Sequence, residues 1–402
     1  MNAPLHRRMV LAGLGVAGLA GCAASPTTLV AARRPGFLRP GLAPLSTHPE
    51  RLSRITVCTR PFRAAGPRIE AEAVGDKRVV HNYGHGGSGW SLSWGSAAAA
   101  RDLALAGGVG DVAVIGCGAI GLTTALQILR SGARTTIYAA ERTPHTRSAR
   151  ATGVWSPDSR IAAEDAVSAD FPARWEAMAR RSWAEHHAFV GLDGEPVKFI
   201  DQYNLRGARG ANAAVGPAPS PGRVDFVRYE ARLEGLTPSS RALRPDEHPF
   251  PVESARVFPQ MTFNVAEYAR QLTEAFLMEG GRIVERRFGH PSEMAELAEP
   301  VVVNCTGYGA RALFGDDSVV PVRGQIAWLT PQPEVTYALW YRSISVVPRA
   351  DGIVIQANGS SQMVGYGVED ETPDRADAGR ALAALAPLFA TAGGQPTPGF
   401  TV

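Results

Sequence analysis

The clearest alternation of apolar runs and polar turns lies between residues 111 and 138. Residues 111–115 form a short apolar run that predicts a buried strand, and the glycine-rich stretch 116–121 predicts a tight turn. Residues 122–130 have the spacing of a helix, and 135–138 form a second apolar run. This order of strand, turn, helix and strand predicts a parallel α/β unit.

The rest of the chain mixes the two periodicities. Further strands are predicted at 55–58, 78–80, 301–304, 325–329, 343–347 and 352–355. Helices are predicted at 96–106, 174–190, 265–279 and 381–389. A stretch rich in Gly, Pro and Ala, from residue 207 to 222, is predicted to be a mobile loop. The 402 residues are enough for two domains of the α/β class.

The first 22 residues have the pattern of an export signal. Arg7 and Arg8 precede an uncharged run over 9–20, which is shorter than the ~20 residues of a membrane-spanning helix. The arginine pair resembles a twin-arginine signal, and the stretch 19–22 resembles a lipoprotein cleavage site in which Cys22 is acylated. We expect export to the periplasm, with Cys22 as a membrane attachment point; a disordered leader is the alternative. Residues 23–53 are predicted to be a tether.

Charge and cysteine content narrow the class of partner. The chain has 41 basic and 38 acidic side chains and a net charge of +3, without a long run of one sign, so a small molecule is a better expectation than a nucleic acid. Cys58, Cys117 and Cys305 are far apart and each lies beside an apolar run. We expect them to be small buried residues, and neither a disulfide nor a metal site.

The turn after the first strand of the α/β unit carries a GxGxxG pattern. Gly116 would allow the tight turn, Gly118 the approach of a pyrophosphate, and Gly121 the packing of helix on strand. Glu141 follows the second strand, where a carboxylate can accept hydrogen bonds from a ribose. The alternative is a glycine turn without a ligand, and the pattern alone does not choose between NAD and FAD.

A second glycine-rich segment makes that choice. Residues 80–95, VHNYGHGGSGWSLSWG, closely resemble the signature of the D-amino-acid oxidase family, and 59–63, TRPFR, resemble the segment carrying that family's carboxylate-binding arginine. Other matches are TPHTRS at 143–148, GVW at 153–155, VNCTG at 303–307 and RGQ at 323–325. The resemblance extends from about residue 54 to the C-terminus and implies FAD as the cofactor.

The resemblance also implies roles for individual residues. Arg60 and Tyr341 would bind the substrate carboxylate, and the Gly87 carbonyl would receive the substrate amine. A guanidinium suits the first role because it forms two parallel hydrogen bonds to a carboxylate. A solvated basic face made of Arg60, Arg63 and Arg68 is the alternative. The resemblance places the cofactor near Gly86, Gly89, Ser91, Arg147, Ser148, Gly153 and Thr306.

The order of the segments differs from the family pattern. The glycine signature closes typical members but here precedes the dinucleotide-binding unit, so we expect a circular permutation, which leaves the contacts of a fold unchanged. A Rossmann-type FAD-binding domain is predicted from 69–165 and 280–325. A substrate-binding domain with a mixed sheet is predicted from 54–68, 166–279 and 326–402. The C-terminus is expected near residue 50.

The histidines suggest no metal. His81 and His85 have the spacing of a helical metal pair, but the glycines around them disfavour a helix, so hydrogen-bonding or packing roles are expected. His186 and His187 lie on a predicted surface helix and are given no role.

The predicted reaction is the FAD-dependent oxidative deamination of a D-amino acid by O2. Ser345 replaces a family tyrosine, and the segment between 325 and 341 is short, which leaves other functions open. These are oxidation of glycine or a secondary amine, a dehydrogenase passing electrons to a membrane acceptor, and a non-catalytic flavin-binding lipoprotein. The preferred side chain and the oligomeric state are not predicted.

Overall fold

The structure is a computed structural model, and it describes residues 41–108, 110–207 and 213–390. The predictions for the export signal, Cys22, the tether up to residue 40 and part of the predicted mobile loop lie outside these residues. The described chain from Gly41 onward forms one compact unit. No helix in these three ranges is long and apolar enough to cross a membrane.

A sheet of six strands contains the α/β unit expected from the sequence. Its order is β2-β3-β10-β4-β5-β9, in which β2 is an antiparallel edge and every other neighbouring pair is parallel. The bounds are β2 Arg68–Val74, β3 Lys77–Tyr83, β4 Asp111–Ile115, β5 Arg134–Ala139, β9 Arg282–Glu285 and β10 Val301–Asn304. The predicted strand, turn, helix and strand are confirmed as β4, α2 and β5, and the α/β fold class is confirmed with them.

A second, mixed sheet has eight strands in the order β1-β11-β14-β13-β12-β6-β8-β7. Its bounds are β1 Leu52–Arg63, β6 Val197–Arg206, β7 Arg241–Leu243, β8 Ser254–Phe263, β11 Val319–Leu329, β12 Ala338–Tyr341, β13 Ile344–Arg349 and β14 Gly352–Ala357. Because β11 continues past residue 325 in this sheet, it crosses the domain boundary that the sequence predicted there. The pairing of β1 with β11 sets Arg60 opposite Val322.

The described residues include six α-helices. Their bounds are α1 Gly89–Leu105, α2 Ala119–Arg130, α3 Phe171–His187, α4 Val265–Met278, α5 Gly309–Phe314 and α6 Arg375–Leu385. Helix α1 begins seven residues before the predicted start at 96, directly after the glycine signature. It crosses α3 so closely that a Cβ on Gly95 would collide with the backbone of Met178.

The last part of the predicted tether is not free. Leu45 is 2% exposed and packs in one apolar cluster with Tyr337 and Leu388. The Tyr337 hydroxyl donates a hydrogen bond to the Ala43 carbonyl at 2.7 Å. Residues 41–53 therefore belong to the folded unit, because their apolar side chains find partners on the larger sheet that a linear pattern does not show.

Candidate active site

One large cavity, of about 1410 Å³, runs along the ends of β4, β5 and β10 and reaches the loop before α1 and strand β1. This exceeds the ~300–1,000 Å³ of a typical small-molecule pocket. The cavity could therefore hold a dinucleotide together with a small substrate. All the predicted site residues line it except Gly121 and Tyr341.

The glycine turn after β4 is fixed by close backbone packing. Gly116 has a φ of +110°, and a Cβ there would lie 2.5 Å from the Cys305 carbonyl oxygen. A Cβ on Gly118 would lie 2.7 Å from the Ser148 hydroxyl, which is too close unless the serine side chain moves. Gly121 faces away from the cavity, where a Cβ would collide with the Gly116 carbonyl. The three glycines thus have the turn, approach and packing positions that the sequence predicts.

Helix α2 points its N-terminus at the cavity. The Ser148 hydroxyl accepts a hydrogen bond from the Ala119 amide at 3.0 Å and so caps the helix, while Trp90 Nε1 donates to the Ser148 carbonyl at 2.9 Å. Glu141 lies just past β5, lines the cavity, and has an Arg287 guanidinium nitrogen 4.0 Å from its carboxylate. Together these features present a partial positive charge to an anion and a carboxylate to hydroxyl groups.

The glycine signature packs against the loop at 156–161. Gly86 has a φ of +53°, and a Cβ there would collide with the Arg160 carbonyl. The Gly86 amide donates to the Pro61 carbonyl and the Gly87 amide to the Ser159 carbonyl, each at 2.8 Å. These two amides are therefore engaged in hydrogen bonds within the protein.

The first turn of α1 presents its N-terminus to the same region. The first helical hydrogen bond in α1 runs from the Leu92 amide to the Ser88 carbonyl, so the amides of Gly89, Trp90 and Ser91 precede it. The Ser91 hydroxyl accepts a hydrogen bond from the Ser156 amide at 2.8 Å. The positive end of a second helix thus borders the cavity.

Arg60 reaches the cavity from β1. Its guanidinium lies against Gly324, where a Cβ would collide with it, so the glycine makes room for the side chain. None of the ion pairs within residues 41–390 that the structure describes involves Arg60, whereas Arg63 pairs with Asp316 and Arg68 with Glu70 and Glu72. The three arginines do not form one basic face.

Tyr341 is not in the cavity, which corrects its expected contact with the substrate carboxylate. It is 2% exposed and packs, with Leu339, in the apolar cluster on the other side of β12. Side chains alternate along a strand, so Trp340 is the residue of β12 that lines the cavity, and it faces Ser345 across the strand pair.

The remaining predicted residues line the cavity and are held by neighbouring loops. Arg147 Nε donates to the Thr59 hydroxyl at 3.0 Å and to Glu371 at 3.1 Å. Gly153 has a φ of +85°, and its carbonyl accepts a hydrogen bond from the Phe263 amide. The Thr306 hydroxyl donates to Asn304 at 2.7 Å.

Sequence reasoning missed Arg160. It lies in the loop at 156–161, is 8% exposed and lines the cavity, and its Nε donates to the Gln362 carbonyl at 2.7 Å. Burial, and then the charge of Arg60, lower the pKa of Arg160 to about 9. An arginine in a loop without periodicity gives no sequence signal, because its role depends on burial and on a distant neighbour.

The histidines have structural partners. His81 Nε2 lies 2.9 Å from Glu72, and His85 Nε2 lies 2.7 Å from the Ser96 hydroxyl, as their expected hydrogen-bonding roles require. Burial lowers the pKa of His85 to about 3, so it is neutral at ordinary pH. His186 is fully buried, not on a surface face, and its Nδ1 lies 2.8 Å from the Tyr268 hydroxyl. Within the described ranges, no group of three or more His, Cys, Asp or Glu is placed to hold a metal.

Comparison with known proteins gives consistent matches. A family model described as FAD dependent oxidoreductase matches residues 111–398. A D-amino-acid oxidase of Dictyostelium discoideum is 26% identical over 284 residues, which cover 70% of this chain and 74% of that protein. A D-amino-acid oxidase of Streptomyces coelicolor is 31% identical over 223 residues, covering 54% of this chain and 58% of that protein. The solved iminodiacetate oxidase of Chelativorans sp. BNC1 is 15% identical and covers 69% of this chain and 78% of its own, at a TM-score of 0.46.

Proposed function

This chain belongs to the family of FAD-dependent oxidoreductases, and from that premise we propose that it oxidises a D-amino acid. The reaction takes one D-amino acid, one O2 and one water to one 2-oxo acid, one ammonia and one hydrogen peroxide. The curated relatives of similar sequence from Dictyostelium and Streptomyces are D-amino-acid oxidases, which supports this substrate class.

The residues present fit FAD. Gly116 and Gly118, with the N-terminus of α2, would hold the pyrophosphate, and Glu141 would accept hydrogen bonds from the ribose. The N-terminus of α1, at Gly89 and beyond, would favour negative charge at its end of the cavity. When bound, FAD would supply the acceptor for the substrate hydride and return the electrons to O2.

The observation that carries the proposal is an unpaired guanidinium beside the glycine signature. Arg60 borders the cavity without a carboxylate partner among the described residues, and the carbonyl of the adjacent Pro61 accepts a hydrogen bond from the Gly86 amide. It would hold the substrate α-carboxylate in a planar, two-point contact, while the Gly87 carbonyl accepts a hydrogen bond from the amine. Such fixation orients the Cα–H bond, and orientation can contribute about 7–11 kcal/mol to lowering the barrier.

The test is anaerobic mixing of the purified holoprotein with a panel of D- and L-amino acids and glycine. We expect the flavin absorbance near 450 nm to be lost with D-amino acids, and hydrogen peroxide to appear once air is admitted. Bleaching without peroxide would favour a dehydrogenase, and bleaching by glycine or a secondary amine alone would favour that substrate class. A flavin that no amino acid reduces would overturn the proposal and favour a binding role.

The location of the protein is a further part of the proposal. Residues 1–22 would direct export, with acylation at Cys22, because the paired arginines and the short apolar run precede that cysteine. Expression of the wild type and Cys22→Ala with a labelled fatty acid tests this. Label on the wild type alone supports lipidation, and unlabelled wild type in the cytoplasm contradicts both steps.

A further inference from the structure

Two arginines from distant parts of the chain border the same space. Arg60 comes from β1 and Arg160 from the loop at 156–161, and both line the main cavity as well as a smaller neighbouring one of about 270 Å³. Arg160 is 8% exposed. Two side chains of one charge thus border the same two cavities.

The protein itself does not neutralise this pair. Among the ion pairs of the described ranges, none includes Arg60 or Arg160, and the hydrogen bond from Arg160 Nε goes to a neutral carbonyl, that of Gln362. The pKa of Arg160 is lowered by burial and by Arg60, without a compensating carboxylate. A buried charge without a counter-ion is unfavourable by several kcal/mol. The pair is therefore poised for an anion.

Nearby carboxylates have other partners. Asp158 accepts a hydrogen bond from the Tyr229 amide at 3.0 Å, and Asp377, which borders the smaller cavity, lies 3.1 Å from Arg380. Glu164, Asp225 and Glu230 also line the main cavity, and none of them forms an ion pair with Arg60 or Arg160 among the described residues. Gln356 and Asn358 border both cavities, so neutral amides also line the space around the arginines.

The backbone at Arg160 is held firmly. Its φ is +49°, a left-handed conformation that non-glycine residues rarely adopt, and its carbonyl occupies the space above Gly86. A conformation of this kind is unfavourable by about 1–3 kcal/mol and persists where the surroundings fix it. The guanidinium is thus attached to a backbone that packs against the glycine signature.

We propose that Arg160 binds a second carboxylate, so that the preferred substrates are acidic D-amino acids such as D-aspartate and D-glutamate. This rests on the proposed function, in which Arg60 holds the α-carboxylate. A neutral amide side chain would leave Arg160 buried without a counter-ion. We expect a preference for the acid over its amide of about 10- to 100-fold in kcat/KM, the range that charge-assisted hydrogen bonds give.

The experiment compares holoprotein kinetics for D-aspartate with D-asparagine and for D-glutamate with D-glutamine. The variant is Arg160→Gln, and the matched control is Arg174→Gln, an exposed arginine of α3 that pairs with Asp170. We expect Arg160→Gln to lower kcat/KM for the acids at least 10-fold while leaving the amides within about 3-fold. Arg174→Gln should preserve the preference. Equal losses for acids and amides in Arg160→Gln would overturn the assignment.

A measurement of ligand binding to the wild-type holoprotein tests the inference without relying on catalytic turnover or on the folding of the Arg160→Gln variant. Succinate and succinamate are added to the wild-type holoprotein, and the change in the flavin spectrum gives each Kd. Tighter binding of succinate by at least 10-fold is expected, and equal binding would overturn the inference even if Arg160→Gln does not fold. If the wild type oxidises D-alanine and D-asparagine as well as D-aspartate, the inference fails while the proposed function stands. If no amino acid reduces the flavin, the proposed function fails and succinate binding still decides the anion site.

Discussion

The role of each arginine in this protein depends on the atoms beside its guanidinium. Arg63 lies on the same strand as Arg60, and Arg68 begins the next strand along the chain. Both have carboxylate partners, whereas Arg60 has none among the described residues. The family resemblance of TRPFR was enough to single out Arg60. Arg160 could not be found in this way, because its function follows from burial in a loop and not from any local pattern.

The first prediction concerns Arg60→Lys. A single ammonium cannot form the planar two-point contact of a guanidinium, so we expect kcat/KM for a D-amino acid to fall at least 100-fold while FAD stays bound. Stopped-flow flavin reduction and the 450 nm absorbance of the purified variant measure the two effects. Arg54→Lys is the control, because Arg54 lies on the same strand but stacks on Trp328 at 4.1 Å, outside the cavity. Similar losses of kcat/KM in both variants would contradict the proposed binding of the substrate carboxylate by Arg60.

The second prediction concerns Glu371, whose carboxylate contacts Arg147, Arg150 and Thr59. Burial raises the pKa of this carboxyl, but the arginines and hydrogen bonds outweigh burial, and the net pKa is lowered from 4.5. A lowered pKa adds stability at pH values above 4.5, and that stability is lost as the pH falls through the folded-state value. Glu371→Gln should therefore be less stable than the wild type at pH 7, by about 1 kcal/mol after allowance for partial exposure.

Urea unfolding at pH 7 and at pH 3.5 measures this difference. The gap between the wild type and Glu371→Gln should shrink at the lower pH. Glu274→Gln, which removes an exposed ion pair with Arg270 on α4, is the control and should show a smaller gap at both pH values. A gap for Glu371→Gln that does not depend on pH would contradict the assignment.

At the scale of elements, the sequence correctly predicted the helices and strands in which the hydrophobic periodicity and the flanking turn residues indicate the same structure. Strand β4, the glycine turn and α2 combine an apolar run, a GxGxxG turn and a helical repeat, and all three were found. Strands β6 and β8 were not predicted, because β6 mixes charged and apolar positions and β8 contains Pro259. The predicted contact of Tyr341 with the substrate carboxylate was wrong because the sequence did not define which face of β12 each residue occupies. A shift of one residue along a strand moves a side chain to the opposite face.

The third prediction compares two helical glycines. In α1, a Cβ on Gly95 would collide with the Met178 backbone, whereas in α6 a Cβ on Gly379 would meet nothing within 4 Å. We expect Gly95→Ala to destabilise the protein by about 1–3 kcal/mol through overpacking. Gly379→Ala should stabilise it by about 0.5–1 kcal/mol, because alanine loses less backbone entropy in a helix.

Chemical unfolding of the two glycine variants beside the wild type tests the comparison. Both variants replace a helical glycine with alanine, so the main difference between them is the space around the new Cβ. Opposite signs support close packing of α1 on α3, and stabilisation by Gly95→Ala would show that the helices can separate at little cost.

At the scale of the whole molecule, the same contacts can form in a fold whose segments follow one another in a different order along the chain. Leu388, near the end of the described chain, packs in the same apolar cluster as Leu45, close to its start. The family model matches from residue 111 onward, while Arg60 and the glycine signature precede that point. The circular permutation stays a prediction, which requires that the two ends of the folded unit can be joined without loss of contacts.

The fourth prediction follows from that proximity. A rearranged chain that begins at Asp111, runs to Val402 and continues through a short Gly/Ser linker into residues 41–108 should fold, bind FAD and keep kcat/KM within about 5-fold. The opening falls between α1 and β4, at the exposed turn near Gly108, so no element is cut. A second rearrangement, opened between Gly95 and Ser96, is the control, because it divides the buried helix α1 and should lose FAD and stability. Flavin content, thermal unfolding and D-amino-acid turnover are measured for both. If both chains fail alike while the wild type folds, this protein requires the glycine signature to precede the dinucleotide-binding unit. That result would contradict the prediction that the order of the segments can be exchanged without loss of the fold.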